Sequence, residues 1–143
     1  LALTLCLSSR AKYLALNSGF RKEKGGLSMQ KVAFFVFRDQ EMCFIHVLLN
    51  ALDMYEKGNV ARIVFEGSAT RLVPLLAEAS HSLHGLYRET KDKGLIAGAC
   101  RACSAKMKVL DAVEKEGLPL LEDMKGHPGM HRFLAEGFVI ITM

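Results

Sequence analysis

The feature that most constrains this chain is a series of short, unbroken apolar runs, each followed by a stretch with helical periodicity. Val32-Ala33-Phe34-Phe35-Val36-Phe37, Val60-Ala61-Arg62-Ile63-Val64-Phe65 and Leu95-Ile96-Ala97-Gly98-Ala99 are such runs. Continuous rather than alternating hydrophobicity is what a strand covered on both faces requires. After the first run, Phe44, Val47, Leu48, Ala51, Leu52 and Tyr55 recur on one face, predicting a helix over 41–57 with Asp39 as cap and Gly58 as stop. Further helices are predicted over 69–79, with a late start near Arg71 or a kink at Pro74, and over 82–93, closed by Gly94. The pattern then predicts a helix over 104–116, a short fourth strand at 117–121, a helix over 130–136 and a closing strand at 138–142. Strands alternating with helices in this way predict an α/β fold, an open and mostly parallel sheet with helices on both faces.

Charge narrows the function classes. Lysines and arginines number 19 against 15 acidic residues, but the excess is local. Arg10, Lys12, Arg21, Lys22 and Lys24 face Glu23 alone within residues 1–28, and from Met29 onward the two signs balance. The domain therefore offers no electrostatic footprint for a nucleic-acid backbone. The first nine residues are apolar and the basic stretch follows them, the reverse of a secretory signal. We expect residues 1–28 to be a leader outside the native domain, disordered or an incidental helix, with the domain spanning 29–143. No apolar run approaches the ~18 residues that cross a bilayer. Cysteines at 6, 43, 100 and 103 do not form a disulfide framework, so thiol chemistry in a reducing, cytoplasmic setting is expected.

In an open parallel sheet, chemistry collects beyond the carboxyl ends of the strands. Those ends carry Arg38 and Asp39, then Glu66 and Gly67, then Cys100-Arg101-Ala102-Cys103-Ser104. A C-x-x-C where a strand runs into a helix suits a reactive sulfur, because the thiolate is the nucleophile. Amides at the helix start and the charge of Arg101 are expected to lower the Cys100 pKa. His127, held between Gly126 and Pro128-Gly129, and Glu66 are candidate neighbours, as are Ser104 and Arg38.

Two other readings compete. His81-x-x-His84 and His127-x-x-x-His131 flank the cysteines, so a mixed Cys/His zinc site can be drawn, although the spacings match no finger or ribbon. The alternative function is a regulatory module whose C-x-x-C binds a metal or cluster. We expect no bound metal and no cofactor. A nucleotide site is disfavoured, because Phe37-Arg38-Asp39-Gln40-Glu41 lacks the glycines that bring amides to a phosphate. The gap Gly94–Gly98 also lacks the Gly-Lys-Ser/Thr end of a phosphate loop.

From Lys31 to Met143 the chain resembles the DsrE/DsrF-like proteins of sulfur metabolism, in their stand-alone cytoplasmic branch. The resemblance rests on the opening strand Lys31–Phe37, on Phe65-Glu66-Gly67, on Gly94-Leu95-Ile96-Ala97-Gly98-Ala99-Cys100 with Cys103 beyond, on Gly126-His127-Pro128, and on Glu136-Gly137-Phe138-Val139-Ile140. It implies a flavodoxin-like three-layer fold and assembly into homotrimers or homohexamers. It also implies a sulfurtransferase-like relay in which Cys100 accepts sulfane sulfur as a persulfide. The partners would be sulfur donor and acceptor proteins or small thiols. Cys103 departs from the single cysteine of the best-known relay subunits. A second thiol would release sulfur by forming a disulfide, so a carrier and a thiol-disulfide oxidoreductase both stand as expectations.

Overall fold

Residues 28–143 are described by a computed structural model of the protein; the expected leader, apart from Ser28, and Cys6 lie outside the described residues. The apolar runs form a five-stranded, all-parallel sheet: β1 (Lys31–Val36), β2 (Val60–Phe65), β3 (Ile96–Cys100), β4 (Leu120–Leu121) and β5 (Val139–Thr142), in the order β4-β3-β2-β1-β5. Helices intervene: α1 (Glu41–Glu56), a 3-10 turn (Gly67–Arg71) leading into α2 (Leu72–Ala77), α3 (His84–Asp92), α4 (Arg101–Lys106), α5 (Leu110–Lys115) and α6 (Met130–Ala135). This is the three-layer, flavodoxin-like open sheet that the alternation and the resemblance predict.

The connections explain the layers. The chain steps in one direction from β1 through β4, then returns past β1 to lay down β5 on the opposite edge. Right-handed crossovers therefore place the helix before β5 on the other face from the rest. One face packs Phe34, Val36, Ile63 and Phe65 under Phe44, Leu48, Leu72 and Tyr87 of α1, α2 and α3. The opposite face packs Ala33, Phe35 and Val64 under Phe133 of α6, whose ring meets Phe35 edge-on at 5.3 Å and Phe138 at 5.9 Å. Alternate residues of β1 thus enter different cores, which is why the run is apolar throughout.

One glycine sets where β3 ends. Gly98 has φ +148°, and a Cβ there would lie 2.3 Å from the Pro119 carbonyl oxygen. The same carbonyl accepts a hydrogen bond from the Ala99 amide at 2.9 Å. Opposite, the register with β2 slips between Ile63 and Val64, a bulge that turns the strand just before Cys100.

Two local expectations are corrected. The helix predicted over 104–116 is two helices, broken at Met107–Val109. Lys108 takes φ +61°, the Val109 amide donates to Ser104 O at 2.9 Å, and the Lys108 amide donates to Ala105 O at 3.1 Å. This paired bonding is the Schellman ending, normally built on glycine, and the amphipathic period does not reveal it when lysine fills the position. Asp39 does not cap α1: Gln40 occupies that position without a side-chain bond. The Asp39 carboxylate instead accepts from Ser68 Oγ at 2.9 Å and pairs with Arg71 at 3.6 Å. Pro74 falls in the first turn of α2, so the late start is the correct alternative.

Gly98→Ala should cost about 2–3 kcal/mol, because the backbone conformation and the Pro119 contact both oppose a side chain; urea unfolding measures it. Lys108→Gly should add about 0.5 kcal/mol by relieving the left-handed lysine, offset in part by the entropy of an extra glycine.

Candidate functional site

All strands being parallel, their carboxyl ends share one edge, and β3 delivers Cys100 there as the residue capping α4. The Cys103 amide donates to Cys100 Sγ at 3.2 Å, and Ser104 Oγ donates to Cys100 O at 2.7 Å. Ser104, fully buried, therefore ties the helix start to the strand end and holds the C-x-x-C in place; it is a positioning residue.

The loop after β4 folds back over these thiols. The Ala102 amide donates to Gly126 O at 2.9 Å, and a Cβ on Gly126 would come within 3.2 Å of the Ala102 Cβ. That approach carries His127 onto the cysteines. His127 Nδ1 lies 3.2 Å from Cys100 Sγ and 3.7 Å from Cys103 Sγ. The three ligand atoms all lie within 4.8 Å of one another. Both thiols are free. Cys100 is 0% exposed, whereas Cys103 is half-buried and reachable from solvent.

The electrostatics correct the sequence expectation. The Cys100 thiol is not acidified; burial pushes its pKa up to about 12, with a hydrogen bond to Cys103 and the negative charge of Glu66 acting in the same direction. The Cys103 backbone amide opposes them only in part. Arg101 turns away from the thiols and pairs with Glu122 at 3.3 Å on the surface. A six-residue helix contributes one amide to the sulfur rather than a strong field. Cys100 is thus a neutral thiol at rest, donating toward Gly126 O at 3.6 Å or His127.

Glu66, 8% exposed at the end of β2, joins the site from the side. Burial raises its pKa, and the charge of His127 opposes the rise. Glu66 also lines a cavity of about 710 Å³ walled by Phe37, Met124, Pro128 and Met130. Arg38 lies elsewhere, on a cavity of about 350 Å³ between α1 and the end of β5 that also receives Cys43.

The other sequence candidates have structural roles. His84 Nδ1 lies 2.8 Å from Leu76 O, and His81 Nδ1 accepts from the Leu83 amide at 3.1 Å while Nε2 faces Glu41 at 3.4 Å. Neither joins the cysteines; among the described residues the one Cys/His cluster of metal-binding geometry is Cys100, Cys103 and His127. The sequence placed Gly126 beside His127 but did not show its bond to Ala102, and nothing in it marks Glu122 as the partner of Arg101.

Two archaeal proteins are similar to this chain. An uncharacterized protein of Methanocaldococcus jannaschii is 29% identical over 119 residues, covering 79% of this chain and 95% of that protein. An uncharacterized protein of Archaeoglobus fulgidus is 39% identical over 51 residues, covering 36% of this chain and 84% of that one. The chain belongs to one family with the Archaeoglobus fulgidus protein. No protein-family model and no solved structure matches it. No helix among the described residues is long and apolar enough to cross a membrane.

A raised Cys100 pKa favours the folded state below the unfolded thiol pKa of about 8.5, and that advantage is lost as pH climbs toward 12. The stability gap between the wild type and Cys100→Ala should accordingly narrow between about pH 9 and 12, read as converging urea midpoints.

Proposed function

We propose that the protein is a dithiol sulfur carrier in which sulfane sulfur enters at Cys103 and is released through Cys100. The observation that carries this reading is an accessible and a buried thiol sharing one imidazole nitrogen, at 3.7 and 3.2 Å. The resemblance to the DsrE/DsrF-like proteins supports the same chemistry but assigns entry to Cys100. Burial of Cys100 is the reason to reverse the order, since a donor molecule must reach the attacking sulfur.

In loading, His127 Nδ1 takes the Cys103 proton and the thiolate attacks the outer sulfur of a donor persulfide. The donor S–S bond breaks, a Cys103 persulfide forms, and the departing thiolate regains a proton. Hand-off to an acceptor thiolate repeats this exchange without net redox change. Release takes another course. The Cys100 thiolate, formed as its proton passes to His127, attacks Cys103 Sγ; the persulfide bond breaks, hydrosulfide leaves, and a Cys100–Cys103 disulfide remains. The sulfane sulfur is thereby reduced to sulfide, and an external dithiol restores both thiols. A thiol-disulfide oxidoreductase would use the same pair without the sulfur cargo.

Self-association into a trimer or hexamer is part of this reading. It is supported by the exposed Val139 and Ile141 on edge strand β5 and by exposed Leu134 on α6. A second reading is favoured by the ligand geometry. Two thiolates and an imidazole within 4.8 Å suit a zinc-like ion with one open position, and metal analysis of chelator-free protein separates it from the carrier.

Intact-mass analysis after incubation with inorganic polysulfide tests the carrier. The wild type should gain one sulfur atom or, once release has followed, lose two hydrogens as the disulfide; Cys103→Ser should do neither, and Cys100→Ser should keep the added sulfur without releasing sulfide. His127→Ala should slow loading by about 100-fold. Undiminished loading of Cys103→Ser would refute the assignment.

A further inference from the structure

The geometry points to the cavity beside the dithiol as the binding site for the organic portion of the sulfur donor, and to a donor with an apolar body and an amine rather than an anionic one. This inference rests on the carrier reading and names its substrate class.

The cavity, about 710 Å³, falls within the range of small-ligand sites, and Phe37, Met124, Pro128 and Met130 supply apolar walls. Its polar groups are not equivalent. Asp123 and Arg132 pair with each other, with Arg132 Nη1 at 3.2 Å from both carboxylate oxygens, Asp123 also accepts from the Gly129 amide at 3.2 Å, and His131 lines the same wall. Glu66 has no such partner: the residue is 8% exposed, it lines the cavity, and among the described residues no protein hydrogen bond reaches its carboxyl. Burial partly desolvates this carboxyl, and with no protein donor on it a ligand ammonium or N–H placed in the cavity gains a charge-assisted hydrogen bond. A carboxylate-bearing ligand would instead meet a like charge.

Glu66 also connects the cavity to the sulfur chemistry. It acts electrostatically on both Cys100 and His127 while lining the cavity wall. The cavity floor and the thiol cover are one segment of chain, since His127 precedes the lining residues Pro128, Gly129 and Met130 directly. A donor seated against Glu66 would thus lie beside the loop that covers the thiols. The exchange is the one given above: Cys103 takes the outer sulfur, and the organic thiol leaves into the cavity.

Loading rates by intact mass test this with an aminomethyl-benzyl persulfide, neutral benzyl persulfide and glutathione persulfide, each taken as a ratio to inorganic polysulfide, which needs no cavity. The amine should load about tenfold faster than the neutral donor, and glutathione persulfide should be slowest. Glu66→Gln should level the amine and neutral ratios. Met124→Trp, made at a residue 59% exposed and outside the core, should depress both organic ratios. Equal ratios for all donors in the wild type, or a preference for glutathione persulfide, would overturn the inference while leaving the carrier intact. If polysulfide itself fails to load, the carrier reading falls, and calorimetry with methylbenzylamine still decides the cavity. Saturable binding lost in Glu66→Gln upholds it, and absence of binding in the wild type sinks it.

Discussion

The contact between Gly98 and the Pro119 carbonyl governs the working edge of this molecule. No side chain fits at that point, so β3 and the entry to β4 close to a separation available only to glycine. Closing them pairs Ala99 with Leu120 and Cys100 with Leu121. The loop that leaves Leu121 is then near enough for Gly126 to bond Ala102, and His127 follows. A methyl group at position 98 would push β4 outward, and with it the imidazole that both sulfurs share.

Much of the fold was legible because its strands are buried on two faces. Residues such as Phe34 and Phe35 serve opposite cores, and only unbroken hydrophobicity satisfies both. Glycine stops were equally plain: Gly58 and Gly94 take positive φ where helices end. What escaped was decided by tertiary contacts. The break at Lys108 uses a lysine where glycine is usual, and Asp39 bonds across to Ser68 on another element rather than to its own helix.

The site was legible as a set of residue types and not as an electrostatic environment. Cys100, Cys103 and His127 were readable from the C-x-x-C and the Gly-His-Pro loop, and the structure brings all three together. The acidity of Cys100 was misjudged because adjacency to Arg101 in sequence says nothing of where that side chain points. Arg101 found Glu122, and burial then outweighed the remaining amide. Glu66 was visible at its strand end, but its lack of a partner depends on Phe37 and the 123–132 segment, which close around it from distant parts of the chain.

The unequal exposure of the two cysteines also bears on oxidative damage. Peroxide approaching from solvent meets Cys103 first, and a sulfenic acid formed there lies within reach of a shielded neighbour. Condensation with Cys100 expels water and leaves a reducible disulfide, ahead of the irreversible sulfinic and sulfonic stages. A thiol kept neutral and out of solvent is a poor target itself, so it stays in reserve to rescue the other.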